Sequence, residues 1–179
     1  MIVWFKHLPE ISMDTAEWKP VITNSWFRTH FMKFVYTLQV LFLLSSYFLS
    51  LSIPTVYLVL IAISVFIVHE IIHILVVYKK GDISLTFSQF FFWLHTNATL
   101  SKSRFWWFMT LPFILLTVLP LILSFFVPSD LRGIFLFISW FNAIVSASDL
   151  FNSVLIALKP RGSEFCRGVY RVQPTKWAR

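Results

Sequence analysis

Tyr57–Tyr78 reads YLVLIAISVFIVHEIIHILVVY, an apolar run long enough to cross a bilayer as a helix, with His69, Glu70 and His73 set inside it. Residues four apart lie close together on one helix face, because a turn takes 3.6 residues. His69 and His73 therefore point the same way, with Glu70 between them. This is the H-E-x-x-H pattern, in which the two imidazoles hold one zinc ion and the glutamate acts on the water bound to it. In a soluble helix so short a motif carries little weight. Inside a bilayer it carries more, because ionisable groups are costly there and are kept for function.

The rest of the chain suits a membrane. Of its 179 residues, 58% are hydrophobic and 13% charged, and the mean hydropathy is +0.75. That is too apolar for a water-facing surface and reads as one integral membrane domain over 1–179. The formal net charge is +7. Nucleic acid is one partner such a balance suggests. Lys and Arg that flank apolar spans and face anionic lipid explain it better, so no nucleic-acid partner is expected. Cys166 is the only cysteine, which excludes an intrachain disulfide and a thiolate metal cluster. The first 30 residues lack the apolar core of a signal peptide, and no cleavage is expected.

The expected fold class is an all-α polytopic membrane protein. Four transmembrane helices are placed at 34–53, 55–78, 105–127 and 133–158, with a short β-hairpin or membrane-dipping loop between helices 2 and 3. An interfacial arm, 1–30, carries Trp4, Trp18 and Trp26 as headgroup anchors. Lys79, Lys80 and Gly81 close the second helix, with Gly81 as its cap. Ile83, Leu85 and Phe87 alternate with Ser84, Thr86 and Ser88, which is strand periodicity. His95-Thr96-Asn97 is expected to turn the chain back into Ala98–Ser103. The edge of such a hairpin suits pairing with an extended peptide; an interfacial linker is the plainer alternative. Pro112 and Pro120 are expected to kink the third span. In the fourth, Asn142, Ser146, Asp149 and Ser153 are spaced four, three and four. They form one polar stripe, which belongs inside the bundle. From Lys159 the tail, 159–179, is polar and basic.

Basic residues orient the spans. With both termini in the cytosol, every Lys and Arg except Arg132 falls on the cytosolic side. The same ruler selects a third ligand, since a catalytic zinc takes three protein ligands and a water. His69 precedes Lys79 by ten residues, and Asp149 precedes Lys159 by ten, which is ~15 Å of helix in each case. These groups share a depth. Asp82 and Glu164 lie outside the membrane by this count, Asp130 lies on the far side, and His95 approaches only if its loop dips deeply. Asp149 is the best choice; a buried Asp bonded to Asn or Ser is the plainer reading.

The two segments together resemble the intramembrane zinc metalloproteases of the site-2 protease type. More closely, they resemble a family of small bacterial membrane proteins classed as putative zincin peptidases. There an H-E-x-x-H helix is followed by a proline-containing span and an Asn…(G/S)-x-x-D-x-x-N segment. The matching residues are His69-Glu70-Ile71-Ile72-His73, then Asn142 with Ser146 to Asn152, and the likeness covers about 55–165. Ala143 and Leu150 stand where the site-2 proteases carry Pro and Gly. The resemblance implies that Asp149 is a zinc ligand, that Asn142 contacts substrate or an oxyanion, and that the chain sits in a bacterial plasma membrane.

The expected activity is zinc-dependent hydrolysis of peptide bonds in membrane proteins or peptides, with Glu70 as the catalytic base. The alternative is a membrane metal-binding protein that hydrolyses nothing: a transporter, sensor or adaptor. A transporter needs ligands at several depths, and one layer is visible.

Overall fold

In the computed structural model, which describes residues 2–4, 17–48, 53–88 and 91–173, helices dominate. α1 (Ser25–Leu44) begins where the side chain of Asn24 accepts the Phe27 N–H at 3.0 Å. It continues as a 3-10 turn, Ser45–Phe48. The helix starts ahead of the first expected span, and part of that span, 49–52, lies outside the described residues. α2 (Thr55–Val77) follows Pro54, whose fixed φ suits a helix start. Its exposed side includes Val56, Leu60, Ile63, Ile67 and Leu75, a surface suited to lipid. α2 ends differently from expectation. Lys79, at φ 61°, takes the left-handed position after the helix, and Gly81 is not the cap. Gly81 is needed for close approach: a Cβ there would meet Asn97 Oδ1 at 2.6 Å and the Ala98 nitrogen at 2.9 Å.

A hairpin follows, with its turn earlier than expected. β3 (Ile83–Ser88) pairs antiparallel with β4 (Phe91–Thr96), in a register that sets Ser84 opposite His95 and Ile83 opposite Thr96. His95 is therefore strand, not turn. The aromatic run from Phe91 already has the strand preference needed for the return. β1 (Ile2–Trp4) lies parallel to β3, which leaves β4 at an edge of this sheet. Of the expected N-terminal arm, 1 and 5–16 lie outside the described residues, and α1 takes in its end from Ser25.

α3 (Lys102–Phe113), a π turn (Ile114–Val118) and α4 (Leu119–Leu123) form one continuous span. Pro112 and Pro120 lack the N–H an α-helix needs, and the wider turn lies between them. The expected fourth helix is broken. α5 (Ser129–Val145) and α6 (Ala147–Ala157) meet at Ser146 with a 62° bend. By length and apolar character, two helices are able to cross a membrane, α2 and the Lys102–Leu123 run, or three if the bent pair counts as one span. α5 is tied to α1 by Trp140 Nε1, which donates to the Phe42 carbonyl at 2.7 Å, and by Gln39 Nε2, which donates to the Ile144 carbonyl at 3.2 Å.

The tail is not simply polar. β6 (Ser163–Cys166) and β7 (Val169–Val172) form a hairpin whose two turn residues, Arg167 and Gly168, have φ of 46° and 78°. Positive φ at both is the turn that matches strand twist. The strands join β2 (Lys19–Pro20) and β5 (Leu100–Ser101) in the order β2-β7-β6-β5. Phe165, Val21 and Ile156 pack beneath this second sheet. Lys102 Nζ donates to the carbonyls of Ala157 and Lys159, which fixes the start of α3 against the end of α6.

Candidate metal centre

The centre is built from two helices. His69 and His73 come from one face of α2, as helix periodicity requires, and both are buried. Asp149 comes from the first turn of α6 and is also buried. It lies three residues beyond the 62° bend at Ser146 that separates α6 from α5. Asn142, Ser146 and Ser153, the rest of the stripe, are buried on the two sides of the break.

Nε2 of His69 and Nε2 of His73 are 3.0 Å apart. Asp149 Oδ2 lies 3.2 Å from the first and 3.3 Å from the second. These three atoms form a nearly equilateral triangle. Four ligands placed tetrahedrally at about 2.0–2.1 Å from zinc are separated by about 3.3–3.4 Å, close to the edges found. The alignment agrees with the distances. Asp149 Oδ2 is near two nitrogens and yet makes no hydrogen bond of acceptable geometry. The two Nε2 atoms satisfy hydrogen-bond geometry with each other, and the carboxylate oxygen is the atom left without a donor. A buried carboxylate oxygen without a donor is costly, and a dication beside it removes the cost. The two imidazoles and the carboxylate therefore fit a zinc ion. Among the described residues, His69, His73 and Asp149 are the one group of three such side chains able to hold a metal.

Glu70 follows His69 and is rotated about a quarter-turn round the helix. Its Oε2 is buried and has no hydrogen-bond partner, so this oxygen is free to take a proton. The His73 ring packs against Phe108 with centroids 4.6 Å apart. Phe108 in turn belongs to the cluster of Val77, Ile83, Ala98 and Leu100, which anchors the base of the β3–β4 hairpin beside the metal helix.

Asn142 lies behind His69, fully buried. Its Oδ1 is 2.9 Å from His69 Nδ1, and its Nδ2 faces the Pro112 carbonyl at 3.2 Å, Thr117 Oγ1 at 3.0 Å and Ser146 Oγ at 3.1 Å. Both ends of its amide are engaged inside the protein. Thr117 and the Pro112 carbonyl were not legible as site groups. A threonine in an apolar span normally bonds its own helix, and a carbonyl has no sequence signature.

The family described as "Putative zincin peptidase" matches residues 62–163, which include α2 from its middle, the whole third span, α5 and α6. No curated protein and no solved structure matches the chain.

Proposed function

The chain belongs to the putative zincin peptidase family, and from that premise we propose that it is a zinc-dependent endopeptidase acting on membrane proteins at or within the bilayer, by chemistry of the site-2 protease type. The observation that carries the reading is the triangle of His69 Nε2, His73 Nε2 and Asp149 Oδ2 beside an unpartnered Glu70 carboxylate oxygen. Bound by those three atoms, zinc supplies Lewis acidity and brings the pKa of a water towards about 7.

The chain's own groups do the rest. Glu70 Oε2 accepts a proton from the attacking water as its oxygen bonds to the scissile carbonyl carbon. Glu70 then returns that proton to the amide nitrogen as the C–N bond breaks, and the second water proton passes from the new carboxylic acid to the amine, leaving a carboxylate and an ammonium group. A helical substrate hides its carbonyls in hydrogen bonds and must be extended first. β4, at the edge of its sheet, is the segment suited to hold an extended stretch by its backbone.

Four spans with both termini in the cytosol complete the proposal, with α1 and the bent α5–α6 pair as the spans additional to the two apolar ones. A transporter needs ligand clusters at other depths, and among the described residues no second one occurs.

The test is Glu70→Gln in the full-length protein, reconstituted with candidate membrane-protein substrates. The variant keeps zinc and loses cleavage. Cleavage at the wild-type rate by this variant, or wild-type protein purified without zinc, overturns the proposal.

A further inference from the structure

The two zinc-facing histidines are held in different ways. His73 Nδ1 is buried with no hydrogen-bond partner, and its ring is steadied by Phe108. His69 Nδ1 instead meets Asn142 Oδ1 at 2.9 Å. Which end of the Asn142 amide faces His69 is set by the far side. The Pro112 carbonyl only accepts, and it lies 3.2 Å from the other end of the amide. That end must be the NH2 group. Its two hydrogens serve three acceptors: the Pro112 carbonyl, Thr117 Oγ1 and Ser146 Oγ. The oxygen is thereby turned to His69, and an amide oxygen accepts. His69 Nδ1 must carry a hydrogen, which leaves the lone pair of the neutral ring on Nε2, the atom that faces His73 and Asp149.

Thr117 is offered to Asn142 by the π turn. Leu119 N–H returns to the Ile114 carbonyl across five residues, so this turn is wider than an α turn. Thr117 within it is buried against α5. π turns recur where a helix must present a group out of regular register.

We propose that Asn142 and Thr117 are positioning residues: the Pro112 carbonyl sets which way the Asn142 amide faces, Thr117 on the π turn helps to hold its NH2 end in place, and Asn142 fixes the His69 tautomer that presents Nε2 to the metal. The third span thus tunes ion affinity without contacting the ion. Partners of this kind behind a ligating histidine are worth about 10–100-fold in metal affinity. The inference rests on the metal-site part of the reading above and not on hydrolysis.

Full-length wild type, Thr117→Val, Thr117→Ser and Asn142→Leu are compared in detergent micelles by zinc competition against a chromophoric chelator. Long-range ¹H–¹⁵N correlation spectra of labelled histidine, with and without zinc, report the His69 tautomer. Thr117→Val keeps the shape of the side chain and removes the acceptor; it should weaken zinc binding by about 3–10-fold, and Asn142→Leu by about 10–100-fold. Thr117→Ser should bind as wild type does. His69 should carry its hydrogen on Nδ1 in wild type, Thr117→Ser and Thr117→Val, where the Pro112 carbonyl still fixes the amide, and become a tautomer mixture in Asn142→Leu. If Asn142→Leu fails to fold, the Thr117 pair still decides. Unchanged zinc affinity in Thr117→Val, or a bare His69 Nδ1 in wild type, overturns the inference. Wild-type protein that binds no zinc sinks the metal reading instead, and the tautomer spectra without zinc still test the Asn142–His69 arrangement.

Discussion

Asp149 Oδ2 lies 3.3 Å from His73 Nε2, three residues beyond the 62° bend at Ser146 that separates α6 from α5. Two ligands from one helix and a third from a bent neighbour make a site that is lost if any of the three is removed. Asp149→Ala and His73→Ala should each lower zinc affinity by more than about 100-fold, since loss of mere supporting groups already costs about 10–100-fold. Elemental analysis after gel filtration reads this directly. Full zinc content in Asp149→Ala means that another group is the third ligand.

The junction after α2 leaves no room at Gly81. A methyl group there would press on Asn97 Oδ1, which accepts the Asp82 N–H at 2.7 Å, and on the backbone of Ala98. Gly81→Ala should destabilise the protein by about 1–3 kcal/mol, the usual cost of overpacking. Thermal unfolding in micelles checks this, and an unchanged midpoint shows that the hairpin base yields.

The hairpin of β6 and β7 turns through Arg167 and Gly168, both in the left-handed region. Gly168→Ala puts a Cβ where φ is 78° and should cost about 1 kcal/mol. Arg167→Asn does the opposite, because asparagine tolerates that conformation better; a gain of a few tenths to about 1 kcal/mol is expected. Opposite signs in the two unfolding midpoints are the result to look for.

Cys166, at the end of β6, is buried, and burial pushes its thiol above the ordinary range. The unfolded thiol ionises near pH 8.5. Between that pH and the raised folded value, the unfolded chain releases a proton that the folded chain keeps. The stability the thiol contributes is therefore fully present below about pH 8.5 and declines as pH rises further. Native protein should also resist iodoacetamide at pH 8 while denatured protein reacts, which mass spectrometry measures. Equal rates in the two states mean that the strand opens freely.

Much of the site was legible because its first half is local. The spacing of His69, Glu70 and His73 and the apolar length around them settle both the helix and the face on which the imidazoles lie, since each depends only on residues within one turn. Matching depths, counted from Lys79 and Lys159, were enough to select Asp149. Other features depend on contacts between distant segments. The break at Ser146 was hidden in an unbroken helical spacing of its polar stripe, and the hairpin at 163–172 is stabilised by pairing with β2 and β5, far away in the chain. The direction of the Asn142 amide is set by a carbonyl 30 residues away. Sequence alone determined the long apolar helix and its paired imidazoles, because periodicity acts along one segment. Tertiary structure alone decided that the carboxylate lies against them and what holds His69 in place, because both follow from packing between helices that no single segment encodes.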